Sequence, residues 1–371
     1  MRRKISISRN EILLLFVAII FCLFLMEGVL QAAHYIHRND FYARNFEFET
    51  FDRLNSDGLR GPRVSSASTA GHPNVFVIGD SFMYGVGVSE EQSVPRRLEK
   101  NLSKNAACAI SVFNLGRPGT GPTVYAQTAC QYSAYQPDVA IVGLYLGNDI
   151  EAKERVQTKQ PSSIMKRIRS LMSHSATIKA ITSLVRSVRG NVFHECLAAG
   201  DTGVDILSFH LPKNLEEAMC DGRMNPHLLS RGAVGDNDAY FQEVTLRFTE
   251  DSTTKEKLLE IKNSFPTSRF ILLVIPSKYQ VNAAYLQPMR ELGYMFTKDS
   301  VVDRHLQDAV LAWAKRQHID AIDLLPLMAE QERKTGIRLF YQYDEHPNEH
   351  GSEFMADVLL KRLEGSLACK P

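Results

Sequence analysis

Four short motifs hold residue types that together could carry out ester chemistry. Gly79-Asp80-Ser81-Phe82 offers a hydroxyl, and Asp344-Glu345-His346-Pro347-Asn348 offers an imidazole with a carboxylate two residues before it. Asn114-Leu115-Gly116 and Gly147-Asn148-Asp149 lie between them. A serine hydroxyl is a weak nucleophile until a base takes its proton. His346 can do so near neutral pH and can return the proton to a leaving group. Asp344 can fix the imidazole tautomer and stabilise its charged form. Attack on an ester carbonyl makes an oxyanion. The backbone N–H groups of Ser81 and Gly116 and the side-chain amide of Asn148 are the candidate donors to it. Losing one such donor costs about 3 kcal/mol.

Each motif also has a plainer reading. Gly, Asp and Ser are common turn residues, so Asp80 is a turn residue as readily as a participant. Asn148 and Asp149 could cap a helix after a strand; Asp149 is read that way and left out of the catalytic set. His350 is a rival base, but no carboxylate precedes it as Asp344 precedes His346. Pro276-Ser277-Lys278-Tyr279 reads as a strand-to-helix turn rather than pocket lining.

Elements that could position these motifs alternate along the chain. Val75–Ile78, Ile110–Leu115, Asp138–Leu146, Phe270–Ile275 and Ile319–Leu325 are apolar runs without strict alternation, as strands buried on both faces should be. Helical patterns cover Val94–Leu102, Thr123–Tyr135, Lys255–Phe265, Val301–Gln317 and Ser352–Leu363. The alternation predicts a parallel sheet covered on both faces, with Ser81 at the carboxyl end of the first strand. Ser65–Gly71 reads as a loop, and Asn55–Gly61 as a structured turn leading into the domain. More than a hundred residues separate the third and fourth strands, too many for a loop. Within this insertion Ile164, Ile168, Leu171, Ile178, Ile181 and Leu184 recur at helical spacing beside Lys166, Arg167, Arg169, Lys179 and Arg186. A solvated helical cap explains those charges more simply than a lipid- or polysaccharide-binding face.

In these ordered blocks, with Ser81, Gly116, Asn148 and the terminal Asp344/His346, the chain resembles the SGNH hydrolase superfamily, the GDSL-type esterases, over about residues 74 to 365. The resemblance implies a flavodoxin-like three-layer α/β/α sandwich. It also implies a Ser81–His346–Asp344 triad and an oxyanion hole from Ser81, Gly116 and Asn148. Phe82 stands where the family name has Leu, and one residue separates Asp344 from His346 where most members have two. The shorter spacing is similar to that of periplasmic branches that acetylate exopolysaccharides such as alginate.

Composition sets the remaining bounds. Of 371 residues 44% are hydrophobic and 23% charged, which permits a well-buried core. A net charge of +1 gives no argument for a nucleic-acid partner. No metal-binding motif occurs, and neither metal nor cofactor is expected. Arg2, Arg3, Lys4 and Arg9 precede an apolar run from Ile12 to Met26. We read residues 1–10 as a cytoplasmic tail, 11–33 as an uncleaved transmembrane signal anchor and 34–72 as a connector. Residues 73–371 then form the catalytic domain, interrupted at about 151–250, on the periplasmic or extracellular side of the cytoplasmic membrane. Of the six cysteines, Cys196 could pair with Cys220 and Cys108 with Cys130, leaving one of the exported five free. The leading expectation is a serine esterase acting on acyl groups, O-acetyl groups foremost, of an envelope or extracellular carbohydrate or lipid. The alternatives are an O-acyltransferase working with envelope polysaccharide machinery, and a non-catalytic glycan-binding protein.

Overall fold

A computed structural model describes residues 54–105, 108–150, 237–250, 253–291, 296 and 303–367, with scattered helical residues between 14 and 29. The strands are β1 (Asn74–Gly79), β2 (Ser111–Gly116), β3 (Val139–Tyr145), β4 (Arg269–Ile275) and β5 (Asp320–Asp323). The helices are α1 (Ser66–Thr69), α2 (Ser81–Tyr84), α3 (Val94–Asn105), α4 (Pro122–Tyr132), α5 (Asn237–Glu250) and α6 (Thr253–Ser264). They continue with α7 (Lys278–Val281), α8 (Leu286–Glu291), α9 (His305–Arg316), α10 (Leu324–Thr335) and α11 (Glu349–Leu363).

All strand pairs are parallel, in the order β2-β1-β3-β4-β5. That is the flavodoxin-like doubly wound order, whose switch point lies between β1 and β3. Every residue of β1 and β3 is buried, which is why neither alternates in sequence. On one face Phe76, Ile78, Phe113, Val142, Leu144, Leu272 and Val274 form a continuous core with the apolar residues of α4, α5, α6 and α9. On the other side α3 packs on α11, and α10 lies against β4.

Several expectations need correction. The run Ile319–Leu325 is strand only to Asp323, whose side chain accepts the Leu325 N–H and starts α10. Ser65–Gly71 is not all loop: Ser65 caps the one-turn helix α1 through a reciprocal pair with Ser68. Within the stretch 34–72 read as a connector, Leu59, Arg60 and Val64 are buried. The turn at Asn55–Gly61 is present, with Asn55 Oδ1 accepting the Asp57 and Leu59 N–H groups. The end of the insertion is also buried, since Val244 and Phe248 of α5 are core residues. Cys108 and Cys130 do not pair: Cys108 is disulfide-bonded to a partner outside the described residues, and Cys130 is a free, exposed thiol. The Cys196–Cys220 pair, the basic helical pattern at 164–189 and most of the expected membrane span lie outside the described residues. Among the described residues no helix is long and apolar enough to cross a membrane.

Candidate active site

The nucleophile turn follows β1 without a spacer. Asp80 caps α2 by accepting the Phe82 N–H at 2.9 Å, which sets Ser81 in the first turn of the helix. Ser81 is 8% exposed, so its hydroxyl is at the margin of solvent rather than in the core. Ser81 Oγ donates to Asp80 Oδ2 at 3.3 Å and makes no hydrogen bond to His346. Asp80 is therefore more than a turn residue.

The acid–base loop comes from the other end of the chain. It is pinched by the bridge between Phe340 and Pro347 and by the Tyr341 N–H donating to the His346 carbonyl at 3.1 Å. Asn348 then caps α11, accepting the His350 and Gly351 N–H groups. Within the loop His346 Nδ1 lies 2.6 Å from Asp344 Oδ1, and the same oxygen accepts the His346 backbone N–H at 2.8 Å. The one-residue spacing thus suffices for the carboxylate to orient the ring. His350 is half-exposed on α11, its Nε2 3.9 Å from Glu349.

One ring contact brings the loop to the nucleophile turn, and an electrostatic influence accompanies it. The His346 ring lies 5.2 Å from that of Phe82, the residue after Ser81. The Asp80 carboxylate, which holds the Ser81 hydroxyl, also feels the charge of His346. The imidazole thus lies beside the nucleophile turn at the carboxyl end of β1.

The electrostatics of this cluster follow from burial and like charge. Burial pushes Asp80 up to about 6, partly offset by the Phe82 N–H and by His346. Burial would also raise Asp344, but His346, through its charge and hydrogen bonds, and then Lys278 hold it below the usual carboxylate value. Burial opposes the charged form of His346, yet Asp344, Asp80 and Glu345 together raise it above the ordinary histidine value. Glu345 is raised by burial, against the pull of Lys278 and of Tyr145, whose hydroxyl donates to it at 2.8 Å.

The oxyanion candidates divide. No acceptor among the described residues meets the Ser81 N–H. Asn148 is exposed in the turn after β3, and its side-chain amide makes no hydrogen bond among the described residues. The Gly116 N–H is already donated, to Asn114 Oδ1 at 3.0 Å. Gly116 has a further reason to be glycine: a Cβ there would lie 2.4 Å from the Tyr84 nitrogen, so a side chain would drive α2 off β2. Asp149 caps no described helix. It is buried and folds back, accepting the Tyr145 N–H at 2.8 Å and the Tyr125 hydroxyl at 3.0 Å, which fixes the turn carrying Asn148.

Two buried cations escaped the sequence reading. Arg60 donates to the Tyr84, Gly85 and Val88 carbonyls at 3.2, 2.6 and 2.7 Å, tying the segment before the sheet to the loop after Ser81. Lys278, read as part of a turn, is fully buried in α7 and donates into the acid–base loop. Neither gives a local signal, because a lone basic residue in a polar stretch looks like surface.

No family model and no curated protein matches the sequence. Solved structures do. The chain is similar to a lipase/acylhydrolase from Enterococcus faecalis at 12% identity, over 81% of this chain and 99% of that one, with a TM-score of 0.41. It is similar to a two-domain esterase active on acetylated mannans at 11% identity, over 81% of this chain and 51% of that one, with a TM-score of 0.39. A member of the lipolytic G-D-S-L family from Veillonella parvula aligns at 12% identity over 79% and 98%, with a TM-score of 0.36. The Ser81, Gly116 and Asn148 blocks lie at the ends of β1, β2 and β3, and the Asp344/His346 block lies in the loop before α11. The functional reading rests on that geometry.

Proposed function

We propose that this chain is an SGNH-type serine ester hydrolase working through an acyl-Ser81 intermediate. One observation carries the reading: the buried Asp344–His346 pair, 2.6 Å apart, lies beside the nucleophile turn, with the His346 ring 5.2 Å from that of Phe82, the residue after Ser81. With Nδ1 committed to Asp344, His346 Nε2 is the nitrogen left to act as base. Ser81 Oγ turns from Asp80 to His346 as substrate binds; such contacts commonly tighten only in the substrate complex. His346 takes the proton as Oγ bonds to the acyl carbon, and Asp344 stabilises the imidazolium. The proton passes to the leaving alkoxide as the C–O bond breaks. Water then attacks the acyl-Ser81 ester, with His346 again as base, and releases the acid and free Ser81. The Ser81 N–H and the Asn148 amide are the donors best free to meet the oxyanion; Gly116 contributes only if its N–H is shared with Asn114.

Short-chain nitrophenyl esters and a serine-directed phosphonate test this. Ser81→Ala should lower kcat/KM by about 10³-fold or more and abolish the phosphonate adduct found on Ser81 by mass spectrometry. Equal rates for the two proteins would remove the nucleophile, and an unlabelled Ser81 in folded protein that hydrolyses no ester would favour the glycan-binding alternative.

The substrate proposal is narrower. The basic N-terminus and the apolar run from Ile12 to Met26 support a domain held outside the cytoplasm, facing acyl esters of envelope carbohydrate or lipid. Protease digestion of intact cells and of opened spheroplasts reads that topology, and protection in both would refute it. A screen of acetylated glycans, scored for acid released and for acyl groups moved to an added sugar, separates hydrolysis from transfer.

A further inference from the structure

We infer that Lys278 is the positioning residue of the acid–base loop; this deepens the reading of His346 as the base and rests on it. Lys278 opens α7, just after β4, and its side chain is fully buried. Its Nζ lies 3.4 Å from the Tyr341 carbonyl, 2.9 Å from that of Gln342 and 3.1 Å from that of Asp344. An ammonium has three N–H donors and no acceptor, so three inward carbonyls match its capacity. Burying such a charge unpartnered would cost far more than an ordinary hydrogen bond returns. The loop and the lysine therefore need each other. Without the cation, the Tyr341, Gln342 and Asp344 carbonyls lose the donor that ties the loop to α7.

The consequence reaches the triad through Asp344. Its own carbonyl is held by Lys278, and its Oδ1 receives the His346 ring and backbone nitrogens. Anchoring that peptide aims the carboxylate. The lysine also bears on the charge of the site, since it helps hold Asp344 low and opposes the rise of Glu345. The rings of Tyr279 and Tyr285 lie 5.3 and 5.6 Å from the ammonium, within cation–π range. The Tyr341 hydroxyl donates to the Gly87 carbonyl at 2.6 Å, so a loop set by Lys278 is also set against the segment after Ser81.

The test uses the full-length chain with Lys278→Met, which keeps the stem and removes the charge, and Lys278→Gln, which keeps two donors without it. Two quantities are read in folded protein: the low-field proton signal of the His346 Nδ1–H bonded to Asp344, and kcat and KM for a nitrophenyl ester. Displacing the loop by about 1 Å should lower kcat about 10²-fold and leave KM within a few-fold. Lys278→Met should lose the low-field signal, and Lys278→Gln should recover part of both. A folded Lys278→Met protein with the wild-type signal and kcat overturns the proposal. So does failure of both variants to fold, which would make Lys278 a core residue and no more. The proton signal needs no substrate. A wild-type protein that shows the signal but hydrolyses no ester therefore fails the functional reading alone.

Discussion

His346 is a histidine among carboxylates, and its behaviour with pH follows from them. Burial disfavours its charge, but Asp344 first, then Asp80 and Glu345, raise it above 6.5. A base that stays protonated to higher pH becomes available later, so the acid limb of the kcat/KM profile should lie above pH 6.5. Asp80→Asn removes one of the raising charges while keeping an oxygen for the Phe82 N–H, and should move that limb to lower pH. A limb that stays in place would mean that Asp80 does not act on His346. Asp80 carries its own linkage. Its folded value of about 6 exceeds the 3.8 of an ordinary aspartate, so the folded state holds its proton longer. Stability is then lost as pH rises from about 4 through 6, on the order of 3 kcal/mol for two units. Asp80→Asn should therefore gain on the wild type between pH 4 and pH 8 in urea unfolding, and a constant difference would contradict this.

At the scale of elements, the site depends on how closely α2 approaches β2. Gly116→Ala would place a Cβ 2.4 Å from the Tyr84 nitrogen and 2.9 Å from the Met83 carbonyl carbon, both backbone atoms that cannot turn aside. The expected cost is about 1–3 kcal/mol, with α2 and Ser81 displaced. Thermal unfolding and the rate of phosphonate labelling should fall together. A variant that is destabilised yet labels at the wild-type rate would show that Ser81 is held independently of β2, through Asp80 and β1.

For the whole molecule, the question is what counts as the domain. α5 closes the insertion expected at about 151–250, yet Phe248 is buried edge-on against Trp313 of α9, with ring centroids 6.0 Å apart. Phe248→Ala should lower the unfolding free energy by about 3–5 kcal/mol, as for any large core residue. A loss near zero would return α5 to the insertion. The segment at Leu59–Val64 belongs to the domain for the same reason, with Arg60 bonded to the loop beyond Ser81.

What the sequence settled by itself was what depends on local pattern. The runs through Val75–Ile78, Asp138–Leu146 and Phe270–Ile275 announced a parallel sheet because both of their faces must be apolar. Asp344 two residues before His346 could be read as a pair because so short a loop leaves them few other partners. The start of α10 was missed, because the apolar Leu324-Leu325 after its cap Asp323 looks like more strand. The tertiary structure alone decided which groups become partners across long separations. Asp80 rather than His346 holds the Ser81 hydroxyl, Asn114 takes the Gly116 N–H, Cys108 does not pair with Cys130, and Lys278 serves carbonyls more than sixty residues away. Periodicity records how much of a residue is buried, whereas a hydrogen bond records which atom meets it there, and that is fixed only when distant segments pack.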